Sequence, residues 1–198
     1  MSRIPLLEEF PAEAGDFVGR VRRQRRGTLL KLYKALLHSP PLAESWFGHM
    51  NAVRWGSTLA GRLRELIIIR IATIHAVAYI IRQHVPALAE VDGVSVAECE
   101  ALRDWRHCER FNEAERAALA YCDGVTTEVH VADGVFEALR PHYSERQIVE
   151  LTVLIATYNM PGYWSEASEV EPVSLASLVA PPSVSFASCF PSQDGRER

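Results

Sequence analysis

The sequence is poor in the features that mark several classes of protein. Cysteine is sparse: Cys99, Cys108, Cys122 and Cys189 are the four in 198 residues, and none forms a C-x-x-C pair. That spacing fits neither a disulfide framework nor a zinc site, so all four read as free thiols. Positive charge is not in excess, because 21 Lys and Arg face 25 Asp and Glu for a net charge of −4. A nucleic acid or an anionic membrane needs a cationic field, so neither is expected as a partner. Small molecules and protein subunits remain. Long apolar runs are also missing: the stretches around 66–81 and 148–158 are interrupted by Arg70, His75 and Thr152, short of the roughly 20 residues that cross a bilayer. The N-terminus shows no basic segment followed by an apolar run, so no signal peptide is expected and the cytoplasm is the expected location.

No segment alternates in the manner of a strand between hairpin turns, whereas helix signals recur with their caps. The expected fold class is all-α: a single-domain bundle of about six to seven helices built around a central helical hairpin. Residues 1–27, with Pro5 and Pro11, read as an irregular start, 28–172 as the helical domain, and 173–198 as a mobile or loosely docked tail that folding does not need. One helix is expected over Leu29–Leu37, and a second opens at Ser39-Pro40 and runs to about Arg54. From Leu59 to Ile74 apolar residues surround the helix on all sides, which marks the buried central element. Ser95 with Glu98, Asn112 with Glu115, and Ser144 with Gln147 have capping-box spacing and predict helices starting near Val96, Glu113 and Glu145. A short helix is expected around Asp133–Leu139, and Pro161-Gly162 should break the last long one. The arginines at 20, 22, 23, 25 and 26 read as a solvated face rather than a phosphate site.

The stretch Arg64-Glu-Leu-Ile-Ile-Ile-Arg, followed by His75-Ala-Val-Ala-Tyr-Ile-Ile-Arg-Gln-His84, resembles the signature of the carboxymuconolactone decarboxylase and alkylhydroperoxidase D-like family, with Glu65, Tyr79, Gln83 and His84 as the matching residues. The likeness continues through Leu32–Pro40, Phe111–Ala117 and Ser144–Thr152 to Tyr158-Asn-Met, covering roughly residues 28–172. It implies an all-helical fold and a homo-oligomer, trimer or hexamer, assembled through the hairpin. Redox members of the family carry two cysteines at positions that here hold Val77 and Ile80. Neither side chain can cycle between thiol and disulfide, so thiol-peroxidase chemistry is not expected. A related subgroup has Cys, any residue, Tyr, Glu, Trp, two residues and His. This chain keeps Tyr79 and His84 of that pattern and has Val77, Ile80 and Ile81 in place of the rest.

Glu65 and His84 stand nineteen residues apart, which on one straight helix is roughly 28 Å. If the chain reverses near His75, the two fall at the same height on facing helices. Glu65 could then orient His84, His84 could act as general acid or base, and Tyr79, nearer the turn, could donate to a substrate oxygen across a partly apolar pocket. Equally, Glu65 could pair with Arg62 or Arg70 and His84 could be a satisfied core histidine. His38 and His49 match no ligand spacing; no metal and no cofactor are expected. Tyr158 and Asn159 read as packing and C-terminal-turn residues, with pocket lining as the alternative. Three functions stay open: a decarboxylase-like acid–base enzyme acting on a lactone or carboxylated small molecule, a catalytically silent binding or scaffold protein, and an antioxidant peroxidase.

Overall fold

The structure, a computed structural model, describes residues 3–24 and 27–168. The tail assigned to 173–198, with Cys189, lies outside the described residues, as does the question of its dispensability. The described residues form helices and no strand. After a 3-10 turn at Ala12–Ala14 come α1 (Gly15–Gln24), α2 (Lys31–Leu36), α3 (Pro40–Trp55), α4 (Gly61–Ile74), α5 (Ala78–His84), α6 (Ala87–Val91) and α7 (Val96–Ala101). A 3-10 stretch, Leu102–His107, leads to α8 (Glu113–Thr127), α9 (Asp133–Glu137) and α10 (Glu145–Ser168). The count exceeds six to seven because several elements are single turns, too short to show a periodicity. The fold class is the all-α bundle expected.

Helix α4 is the axis. Leu66, Ile67, Ile68, Ile71 and Ala72 have no exposed surface, because α8, α10, α5 and the 3-10 stretch cover the helix on all sides. Burying five such side chains accounts for the order of 10 kcal/mol of transfer free energy, which explains why the most apolar helix becomes the centre. Arg70, in the middle of this helix, is matched: Nε and Nη2 donate to the two oxygens of Asp123 on α8 at 2.6 and 3.0 Å. Trp105 Nε1 donates to the same carboxylate at 3.1 Å. The chain reverses after α4 where the sequence placed the turn. His75 caps the helix, and Ala76 takes a positive φ of 54°, the left-handed step that commonly ends a helix.

The boxes at Ser95 and Asn112 close reciprocally with Glu98 and Glu115, and Ser144 donates to Gln147 while accepting from its amide. Ser39 precedes α3 as expected, with Pro40 in the first turn, but its side chain makes no capping bond. Two expectations are corrected. The segment read as irregular contains α1, because Phe17, Val18 and Val21 share one face and bury it. Phe17, Tyr33 and Phe47 meet edge-to-face at centroid separations of 6.2, 5.7 and 5.8 Å, forming a small second core with α2 and α3. The last helix does not break at Pro161 but continues to Ser168. A proline removes one hydrogen bond from a long ladder, and the burial of Pro161 holds the helix on its path. No helix among the described residues is long and apolar enough to cross a membrane.

Candidate functional site

The hairpin of α4 and α5 brings Glu65 and His84 face to face: His84 Nδ1 lies 2.5 Å from Glu65 Oε2. Neither alternative partner of Glu65 is used by it, since Arg62 is held by Glu98 and Glu115 and Arg70 by Asp123. Instead the other oxygen, Oε1, accepts from Arg54 Nη2 at 3.0 Å, and Arg54 Nη1 donates to the Tyr158 hydroxyl at 3.0 Å. The ring of Tyr158 returns to His84 edge-to-face, with centroids 5.9 Å apart. Four helices, α3, α4, α5 and α10, therefore each contribute one side chain to a closed polar circuit inside the core. Trp55 stacks beside the guanidinium groups of Arg54 and Arg64 at 5.1 and 5.5 Å.

Glu65 is 0 % exposed and His84 5 % exposed. Burial alone pushes a carboxyl upwards, but the His84 charge and hydrogen bond, together with Arg54 and Arg64, outweigh it and bring Glu65 down to about 2. Glu65 is thus a carboxylate at neutral pH and accepts the Nδ1 proton of His84. In the neutral imidazole the lone pair then sits on Nε2, which makes no hydrogen bond to any described residue. Burial pushes the Tyr158 hydroxyl up as well, so it stays neutral.

Tyr79 is placed differently from its partners. It is half-buried on α5, and burial pushes its hydroxyl up to about 12. It makes no hydrogen bond to Glu65 or His84. The roles that sequence reasoning missed are those of Arg54 and Tyr158. Arg54 continues the stripe of Phe47 and Met50 on α3, and a charge on a core-facing stripe is the signal that a buried acid awaits it. Asn159 belongs to the helix rather than a terminal turn: its Oδ1 pairs with His75 Nε2 at 2.6 Å and its Nδ2 donates to Ile155 O at 3.0 Å.

The two positions that carry cysteines in redox members of the family hold no thiol here. Val77 precedes α5 and Ile80 lies on it, both as buried apolar side chains, and burial pushes Cys99 to about 11 and Cys122 to about 12. A cavity of about 200 Å³ opens elsewhere, lined by Leu59, Leu63, Asn112, Tyr143 and Gln147 among others, and includes neither Glu65 nor His84.

An all-helical bundle whose central hairpin carries a buried carboxylate–histidine pair defines the class. Within it, residues 40–123 match the carboxymuconolactone decarboxylase family, and the chain belongs to that family. A protein of unknown function from Agrobacterium tumefaciens, provisionally described as the antioxidant defence protein AhpD, is 30 % identical over 70 % of this chain and 96 % of its own, with a TM-score of 0.65. The uncharacterized protein YdfG of Bacillus subtilis is 29 % identical over 105 residues, 52 % of this chain and 71 % of its own. The debrominase Bmp8, as a cysteine-to-alanine variant bound to 2,3,4-tribromopyrrole, shares the fold with a TM-score of 0.72 at 21 % identity, over 88 % of this chain and 92 % of its own.

Proposed function

We propose that this protein is a cofactor-free acid–base enzyme of the decarboxylase or lyase type, acting on a lactone or carboxylated small molecule, with His84 as the proton-transferring group. The observation that carries this reading is the 2.5 Å contact between Nδ1 and an ionised Glu65, which leaves Nε2 as the basic nitrogen. In the proposed reaction Nε2 takes the proton of the substrate's carboxyl group, the C–C bond to that carboxylate breaks to release carbon dioxide, the bonding pair moves into the conjugated lactone carbonyl, and His84, whose imidazolium Glu65 stabilises, returns the proton to the carbon. Tyr79, protonated at neutral pH, serves as a donor to a substrate oxygen. The antioxidant and debrominase names belong to the similar proteins that carry them; the aliphatic side chains at 77 and 80 speak against a thiol route here.

The near-complete burial of both dyad members favours a second reading, a catalytically silent binding or scaffold protein. His84→Ala separates the two. With a panel of carboxylated γ-lactones followed by carbon dioxide release, the substitution is expected to abolish turnover while the helical circular-dichroism signal persists. Turnover retained in His84→Ala removes His84 from the chemistry, and a parent protein that binds these compounds without converting them supports the silent reading. Peroxide with a dithiol donor should give no turnover.

Self-association is part of this proposal: the resemblance implies assembly through the hairpin, where Ile74, Tyr79 and Ile81 are only partly buried, and the outer face of α10 offers a second surface. Among the described side chains of α10, the apolar ones left exposed are Val149, Val153, Ala156 and Met160, spaced by four, three and four, the seam spacing by which helices pair. A mass near 22.2 kDa by light scattering at micromolar protein argues against it.

A further inference from the structure

We propose that Arg54 and Tyr158 are positioning residues that determine, through Glu65, which nitrogen of His84 carries the proton. The inference rests on the acid–base reading of the dyad and names two residues that this reading does not itself require.

A carboxylate has two oxygens and can rotate between partners. In this site Arg54 removes that freedom by taking Oε1 at 3.0 Å, so that Oε2 is the oxygen presented to His84. The guanidinium is fixed in turn from its other prong, where Nη1 donates to the Tyr158 hydroxyl at 3.0 Å. Two acceptors on two different helices demand a planar fork, which arginine has and lysine lacks. Tyr158 acts twice, since its ring also meets the imidazole at 5.9 Å and an interplanar angle of 82°. His84 is therefore held at Nδ1 by the hydrogen-bond chain and on its ring by Tyr158, and the only freedom left to the neutral imidazole is to keep its proton towards Glu65. Loosening Arg54 frees both carboxylate oxygens and removes the charge that pins them, so the preference for the Nδ1–H form weakens without any change at His84 itself. The positively charged partner lies on α3 and the hydroxyl on α10, so the tautomer at the hairpin depends on how two further helices dock against it.

The test uses the full chain labelled with ¹⁵N-histidine, the His84 signals being assigned by their loss in His84→Gln. Tautomer populations are read from the ring-nitrogen shifts in the parent, Arg54→Gln, Arg54→Lys and Tyr158→Phe. The parent is expected in the Nδ1–H form when neutral. Arg54→Gln should lower the ratio of the two tautomers by roughly tenfold or more, the scale of one charge-assisted hydrogen bond. Arg54→Lys should restore part of it, and Tyr158→Phe should move it less, in the same direction as Arg54→Gln. A folded Arg54→Gln protein with the parent's tautomer ratio overturns the proposal. Should Arg54→Gln fail to fold, Tyr158→Phe decides, and an unmoved ratio there overturns it equally. The measurement needs no substrate. A shifted tautomer with no lactone turnover in the parent leaves the positioning intact and removes the enzyme reading, whereas turnover with an unmoved tautomer does the reverse.

Discussion

Replacing Glu65 by Gln keeps the shape of the side chain and deletes its charge, and the surroundings of the carboxylate set the size of the loss. It is wholly buried between Arg54 and His84, and its ionisation is drawn from 4.5 down to about 2. At roughly 1.4 kcal/mol per unit, that shift corresponds to about 3 kcal/mol of stability near neutral pH. Removing one partner of a buried ion pair independently costs about 3–5 kcal/mol, because the remaining charge is left uncompensated. The two scales agree, so Glu65→Gln should lose about 3 kcal/mol in urea unfolding at roughly pH 7. The sign with pH follows from the direction of the shift. A carboxyl depressed in the folded state stabilises fully above its unfolded value near 4.5, and that contribution drains away as pH falls towards about 2, since the unfolded chain takes up the proton first. The difference between parent and variant should therefore hold steady down to about pH 5 and shrink below it. A difference under about 1 kcal/mol at neutral pH, or one just as large at about pH 3, would refute the placement of an ionised, doubly held Glu65.

Two further outcomes are expected. Gly61 opens α4 with the Asp92 carboxylate lying where a Cβ would stand, and Asp92 is pinned by Arg64 at 3.1 Å; Gly61→Ala should cost about 1–3 kcal/mol in the parent and almost nothing in an Asp92→Ala background, and equal costs in both would show that the collision is not the cause. Cys99 and Cys122, with their thiols pushed up to about 11 and about 12 by burial, should resist a disulfide reagent in the native protein and react on unfolding; residue-resolved mass spectrometry showing either one modified under native conditions at the rate of a free thiol contradicts this.

The all-α class, the capping boxes, the central helix and the reversal near His75 were legible in the sequence because each follows from local chemistry. Caps act across three residues, and an apolar residue at every position of a helix admits no answer but burial. The pairing of Glu65 with His84 was legible for the same reason: once the turn is placed, helical rise alone puts them at equal height. Other features were decided by contacts that no local pattern carries. Residues 15–24 become a helix because Phe17 finds Tyr33 and Phe47, and α10 passes through Pro161 because that residue is buried. Arg54 and Tyr158 stand 104 residues apart and meet at 3.0 Å, and Tyr79, five residues from His84, makes no hydrogen bond to either member of the dyad. The sequence by itself determined that Glu65 and His84 could fall at the same height on facing helices, and left Arg62 and Arg70 open as partners of Glu65. Only the tertiary structure decided which oxygen, which nitrogen and which hydroxyl are joined, because a buried charge takes whatever partner the docking of distant helices brings within reach.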